Sequence, residues 1–236
     1  MISPAMTKLI GYLPKSLVKF VAYKLINGYV DKYANITVQN QENLNDLKKP
    51  VIYVCNHLSN SDALILQRAI KDDDVTFVAG VKLNSNSLTS MGVSIVKTTP
   101  IHPNSADKEG IKRIISIIKN GGSMLIFPEG TRSRTGKLIK AKRGIILIAR
   151  MCKVPIVPIG MTGTEKLLPI NKEGKMEKEK FNYSDINVKI GKPFYLPKKE
   201  REEVSKEYDE RALNFLMGKI AELLPVEYRG EYLKEK

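Results

Sequence analysis

Val51-Ile52-Tyr53-Val54-Cys55-Asn56-His57-Leu58-Ser59-Asn60-Ser61-Asp62 is the stretch on which the reading of the whole chain turns. Its first five residues are apolar, β-branched or aromatic, the composition of a strand buried on both faces. Asn56 and His57 therefore emerge at the carboxyl end of a strand, where open α/β sheets place their ligands. Ser59, Asn60 and Ser61 are turn and cap residues, which puts Asp62 in the first turn of a following helix, a favourable place for a negative charge. On one continuous helix His57 and Asp62 would diverge, but a strand, a turn and a helix can fold them together.

A second stretch has the same grammar. Met124-Leu125-Ile126-Phe127 reads as another buried strand, broken by Pro128-Glu129-Gly130-Thr131 into a turn that Arg132 leaves. From residue 36 onward short β-rich runs alternate with helical stretches, the rhythm of an α/β sheet covered by helices. Strands are expected at 36–39, 51–55, 75–79, 93–96, 124–127, 156–159 and 186–190. Helices are expected at about 62–70, 107–119, 141–151 and 201–224, with 171–180 as a loop. No repeat, low-complexity linker or internal boundary divides this part.

Residues 10–30 carry apolar side chains at three- and four-residue spacing with Lys15, Lys19 and Lys24 between them, the pattern of a basic amphipathic helix. Its apolar face can pack on the domain, lie at a lipid interface, or do both. The expected organisation is an amphipathic helical appendage over 1–34 and one α/β domain over 35–236.

The chain has 236 residues, 42% of them hydrophobic, enough for a sizeable core, which excludes disordered and fibrous classes. The two cysteines, Cys55 and Cys152, lie inside apolar stretches and read as buried reduced thiols. No secretory leader pattern and no apolar run long enough to span a bilayer is visible, so the chain is not expected to span a bilayer by itself, and the two reduced thiols fit a cytosolic, reducing environment. A net charge of +14 calls for an anionic partner, whether nucleic acid, phosphate substrate or membrane surface. Arg132, Arg134, Lys137, Lys140, Lys142 and Arg143 form an acid-free basic run directly behind the second turn. Such a run can be a solvated face or can serve the turn beside it.

The residue types point to specific chemistry. A carboxylate bonded to one imidazole nitrogen fixes the tautomer and frees the other nitrogen to take a proton, so His57 and Asp62 fit a general base and its orienting partner. A histidine that merely caps or packs is the alternative. A glycine turn followed by an arginine suits a phosphate ester, because the guanidinium offers a rigid fork and adjacent amides add to an anion nest. Glu129 can order that turn or hold Arg132, and an ordinary strand-ending turn is the plain alternative. His102 is the other histidine and no ligand spacing accompanies it, so no metal site is expected. A Gly-x-Ser-x-Gly elbow is missing, which leaves no serine nucleophile.

In combination, His57 with Asp62 and the Phe127-to-Ser133 block resemble the glycerolipid acyltransferase family typified by 1-acyl-sn-glycerol-3-phosphate acyltransferase. Its signature is His, four residues, Asp, followed by Phe-Pro-Glu-Gly-Thr-Arg-Ser. Val154-Pro155-Ile156-Val157-Pro158-Ile159-Gly160 resembles the family's later proline block. The resemblance covers roughly residues 36–195. It implies an acyltransferase domain on a mixed sheet, His57 as base, Asp62 as its partner, and an acceptor-phosphate site formed by Glu129, Gly130, Thr131 and Arg132. Where the family has an arginine after the strand between the two blocks, this chain has Lys97-Thr98-Thr99-Pro100, and Lys97 would substitute as a point charge without the bidentate fork.

The implied reaction moves a fatty acyl group from a thioester of coenzyme A or acyl carrier protein to the sn-2 hydroxyl of lysophosphatidate, giving phosphatidate without a cofactor. Glycerol-3-phosphate or a lysophospholipid is the alternative acceptor. The implied partners are the lipid acceptor, the thioester, acyl carrier protein if it is the donor, and an anionic membrane surface. A nucleic-acid-binding module is the competing class, supported by the charge. It lacks zinc spacing, an RNA-binding signature and aromatics interleaved with the basic run, so no nucleic acid is expected. A membrane scaffold that keeps the fold without the chemistry would not need His57, Asp62 and Arg132 intact.

Overall fold

Strand β2 (Ile52–Cys55) is wholly buried, and its alternate side chains serve two different cores. The computed structural model describes residues 15–70, 74–81, 96–102, 105, 107–171 and 179–233. Within them lie β1 (Ala34–Gln39), β2, β3 (Val75–Gly80), β4 (Thr98–Ile101), β5 (Ser123–Ile126), β6 (Ile156–Thr162) and β7 (Ser184–Ile190). The helices are α1 (Lys15–Tyr33), α2 (Asp62–Ala69), α3 (Lys108–Lys119), α4 (Gly144–Cys152), α5 (Thr164–Leu167) and α6 (Ser205–Ala221).

All seven strands form one sheet in the order β1-β7-β6-β2-β5-β3-β4. Neighbours are parallel except β6 and β7, so the sheet is mixed and the fold is α/β with flanking helices. Ile52 and Val54 point to the side covered by α3, α4 and α6, where they meet Ile114, Ile118, Ile146 and Leu216. Val51, Tyr53 and Cys55 point to the opposite side, with Ile65, Leu66 and Val30 from α2 and α1. Burial on both faces accounts for strands that read as unbroken apolar runs.

The expected strand at 93–96 is not where the chain pairs. Residues 93–95 lie outside the described residues, Val96 is buried in a bend, and pairing begins at Thr98. Threonines and a proline gave β4 no strand signature, yet a proline is tolerated on the outermost strand of a sheet, where one edge makes no ladder bonds. The expected loop at 171–180 falls mostly outside the described residues, and 179–180 carry no regular structure.

Helix α1 is fastened at its carboxyl end. Val30 enters the core, Arg68 of α2 bonds Asp31 and Asn27, and Tyr29 and Tyr33 stack against Phe181. Leu17, Phe20, Val21, Tyr23 and Leu25 remain exposed along it. Among the described residues, no helix is long and apolar enough to cross a membrane.

Candidate active site

β2 and β5 are adjacent and parallel, so the loops that leave their carboxyl ends lie side by side. Residue 56 is the first beyond β2. The Asn56 side chain continues the ladder that the backbone abandons, donating to the Met161 carbonyl and accepting from the Met161 amide, both at 2.8 Å. The strand end is thereby fixed to β6, and His57 leaves it in a defined direction.

His57 Nδ1 lies 2.7 Å from Asp62 Oδ2. That same oxygen accepts the amides of Leu58 at 2.7 Å and Ser59 at 2.9 Å, which curls the loop around the carboxylate. Asp62 is completely buried and its Oδ1 has no partner among the described residues. Since an ionised carboxylate only accepts, Nδ1 carries the proton and Nε2 is left as the acceptor. The ring also stacks on Phe127 at a centroid distance of 4.1 Å. Nothing among the described residues bonds Nε2, and the His57 side chain keeps 21% of its surface exposed. The imidazole is thus held on two sides and open on the third.

Cys55, immediately below, is no rival nucleophile. Burial, with added repulsion from Asp62 and Glu129, pushes its thiol well above the usual range, so it stays protonated.

Glu129 has a structural task that the turn sequence did not specify. Its carboxylate is buried, accepting the His57 amide at 2.8 Å through Oε1 and the Ile139 amide at 3.0 Å through Oε2. It joins the two loops and holds neither Arg132 nor an open face for a ligand. Burial raises its pKa to about 7, partly opposed by the two amides. The Ser133 amide donates to the His57 carbonyl at 2.8 Å, a second tie between the loops. Gly130 makes the turn at a φ of +68°, which favours glycine, with the Lys142 side chain lying across it. Gly130 and Thr131 are exposed.

Arg132 is directed by a residue that sequence reasoning missed. Its Nη1 donates to Glu179 Oε1 at 2.9 Å, while Glu179 Oε2 accepts Asn60 Nδ2 at 2.7 Å. Lys97 is not brought to this cluster. It precedes β4 on the far edge of the sheet, three strands and roughly 14 Å from β2, where it is bonded to exposed Asp74 at 2.7 Å. Among the described residues, no group of three or more His, Cys, Asp or Glu side chains is placed to hold a metal ion.

The Acyltransferase family model matches residues 35–162, more than half of the chain and the segment that carries both loops. The chain belongs to the acyltransferase family. Among its acyltransferase relatives, the chloroplastic 1-acyl-sn-glycerol-3-phosphate acyltransferase of Brassica napus is 35% identical over 161 residues, 67% of this chain and 44% of that protein. The 1-acyl-sn-glycerol-3-phosphate acyltransferase of Bacillus subtilis is 28% identical over 172 residues, 70% of this chain and 80% of that one. The chain thus spans less than half the length of the plant acyltransferases it matches. The crystal structure of the 1-acyl-sn-glycerophosphate (LPA) acyltransferase PlsC from Thermotoga maritima superposes with a TM-score of 0.61 over 92% of this chain and 86% of that one, at 22% identity. That likeness establishes the acyltransferase fold.

Proposed function

We propose that this chain transfers a fatty acyl group from an acyl thioester to the sn-2 hydroxyl of lysophosphatidate, yielding phosphatidate for phospholipid synthesis. The observation that carries the reading is His57, with Nδ1 committed to Asp62 and Nε2 free, tied through Glu129 to the turn that presents Arg132. The names of the relatives supply the substrate class.

In the proposed reaction His57 Nε2 takes the proton from the acceptor hydroxyl as its oxygen attacks the thioester carbonyl. The tetrahedral intermediate collapses, the carbon–sulfur bond breaks, and the imidazolium returns the proton to the departing thiolate. Asp62 holds the ring in the required tautomer and stabilises the imidazolium. Arg132, with the Gly130–Thr131 turn, anchors the acceptor's phosphate, and Glu129 holds that turn against the base rather than touching phosphate. Lys97 is assigned no part in this reading, because it precedes β4 on the far edge of the sheet.

The donor is the thioester of coenzyme A or of acyl carrier protein. Within the proposed division into an appendage at 1–34 and an acyltransferase domain at 35–236, residues 1–14 lie outside the described residues, and the exposed apolar residues of α1, flanked by Lys24 and Lys32, rest on an anionic membrane at its cytoplasmic face. The test is purified protein supplied with lysophosphatidate and each donor in turn. Phosphatidate should form with the wild type, and His57→Ala should lower kcat by about a hundredfold or more. Equal rates for the two proteins would reject the reading.

A further inference from the structure

Glu179 lies outside both polar loops, in a segment whose sequence gives it no distinction. Yet its side chain is only 2% exposed, and each carboxylate oxygen is used by a different loop. Oε1 takes Arg132 from the β5 loop and Oε2 takes Asn60 from the loop between His57 and Asp62. A carboxylate withdrawn from water to this degree is costly unless each oxygen finds a donor, and here each does. The Arg132 side chain is 13% exposed, so the ion pair is largely shielded from solvent.

We propose that Glu179 is a positioning residue for the acceptor's phosphate, acting through Arg132 and resting on the reading that Arg132 is the phosphate anchor. A guanidinium has five N–H donors in a planar fork. Glu179 occupies the Nη1 end, and among the described residues no other acceptor meets Arg132, so Nε and Nη2 remain for a phosphate. Fixing one end of the fork removes the rotamer freedom that an unheld arginine would lose on binding. The bond to Asn60 also sets the separation between the anchor and the base, which the acceptor must match with its phosphate and its hydroxyl at once.

Charge and geometry act in opposite directions, which makes the proposal decidable. If Glu179 only neutralised Arg132 or occupied the phosphate's place, removing its charge would lower the acceptor KM. If it positions Arg132, losing its geometry raises that KM. Glu179→Asp keeps the charge but withdraws the oxygens by one carbon. Glu179→Gln keeps an oxygen for Arg132 and, with the Asn60 amide turned over, keeps the second bond while losing the charge.

The experiment measures kcat, acceptor KM and donor KM for wild type, Glu179→Asp, Glu179→Gln, Glu179→Ala and Arg132→Ala with lysophosphatidate. Glu179→Asp and Glu179→Ala are expected to raise the acceptor KM about tenfold with kcat and donor KM within about threefold, and Glu179→Gln to stay within about threefold of wild type throughout. Adding Glu179→Ala to Arg132→Ala should change nothing further. An acceptor KM lowered by more than about threefold in Glu179→Gln overturns the proposal, as does a KM unchanged in Glu179→Asp, including where the melting temperature falls. If Glu179→Ala does not fold, the Asp and Gln variants carry the same comparison. Should Arg132→Ala itself leave the acceptor KM unchanged, the phosphate-anchor reading fails. Should only Arg132→Ala raise it, the Glu179 proposal fails alone.

Discussion

Replacing Asp62 by asparagine removes a charge while the surrounding donors dictate how the new side chain must sit. The present Oδ2 accepts the Leu58 amide, the Ser59 amide and His57 Nδ1, all within 2.9 Å. An amide nitrogen there would face two backbone N–H groups, so the asparagine must place its carbonyl oxygen in that position. The His57 tautomer is therefore retained, and the loss is limited to the ionic part of one hydrogen bond. A bond to a charged group contributes about 1.5–3 kcal/mol against about 0.5–1.5 for a neutral one, a difference of about 1–2 kcal/mol in the state where His57 is protonated. That corresponds to a fall in kcat of roughly 5- to 30-fold.

On the proposed role of His57 as general base, the His57→Ala protein should fall by about a hundred- to ten-thousandfold. Asp62→Asn should thus lie clearly between wild type and His57→Ala in a steady-state assay of thiol release, with folding checked by thermal melting. The amide nitrogen of the asparagine would occupy the buried site of Oδ1, which has no partner, and an unsatisfied donor there costs about 1–3 kcal/mol of stability. A kcat as low as that of His57→Ala would show that the tautomer inverts and that the two amides do not govern the orientation. A kcat within about twofold of wild type would remove Asp62 from the chemistry.

Glu129 predicts a stability effect with a definite sign. Its folded pKa of about 7 lies above its ordinary 4.5, so the native state binds the proton more tightly than the unfolded chain. The stability this group contributes is fully present below about pH 4.5 and is lost as pH rises through about 7, a change of roughly 3 kcal/mol. Chemical denaturation of wild type and Glu129→Gln should give a stability difference, wild type minus variant, that falls between pH 5 and 8; a constant difference would refute the cause assigned. On α1, Phe20 is 57% exposed, and burying a phenylalanine stabilises by about 1.5–3 kcal/mol. Phe20→Ser should weaken binding to anionic vesicles roughly tenfold or more, and an unchanged affinity would exclude this face from membrane contact.

Legibility of the sequence followed burial. β2, β5 and β6 were readable because strands covered on both faces are written as continuous apolar runs, and α3 because its apolar residues recur on one face above an Asp107 cap. β4 was not, since an edge strand of Thr98-Thr99-Pro100-Ile101 is defined by its partner β3 rather than by its own composition. The pairing of His57 with Asp62 was readable because strand, turn and cap are local signals. The place of Glu129 beneath His57 was only half readable, since the turn announced a glycine bend and gave no sign that the carboxylate would face inward toward the His57 and Ile139 amides. Glu179 was unreadable: an acid in a lysine- and glutamate-rich segment acquires meaning only when the fold sets it against Arg132, which precedes it by 47 positions.

These long-range contacts imply that the two polar loops do not vary independently. His57 is joined to the turn that carries Arg132 by Glu129 Oε1 on its own amide, by its own carbonyl on the Ser133 amide, and through Asn60 and Glu179 to Arg132. Two of those ties are made by the backbone of His57, so they act whatever side chain occupies the position. A His57→Ala protein should therefore keep the turn and its acceptor affinity while losing turnover, whereas Glu129→Ala, which leaves the His57 and Ile139 amides without their acceptor, should disturb both. If Glu129→Ala raised the acceptor KM while leaving kcat intact, the base and the phosphate anchor would be mechanically separate, and the contacts through His57 would be packing rather than alignment.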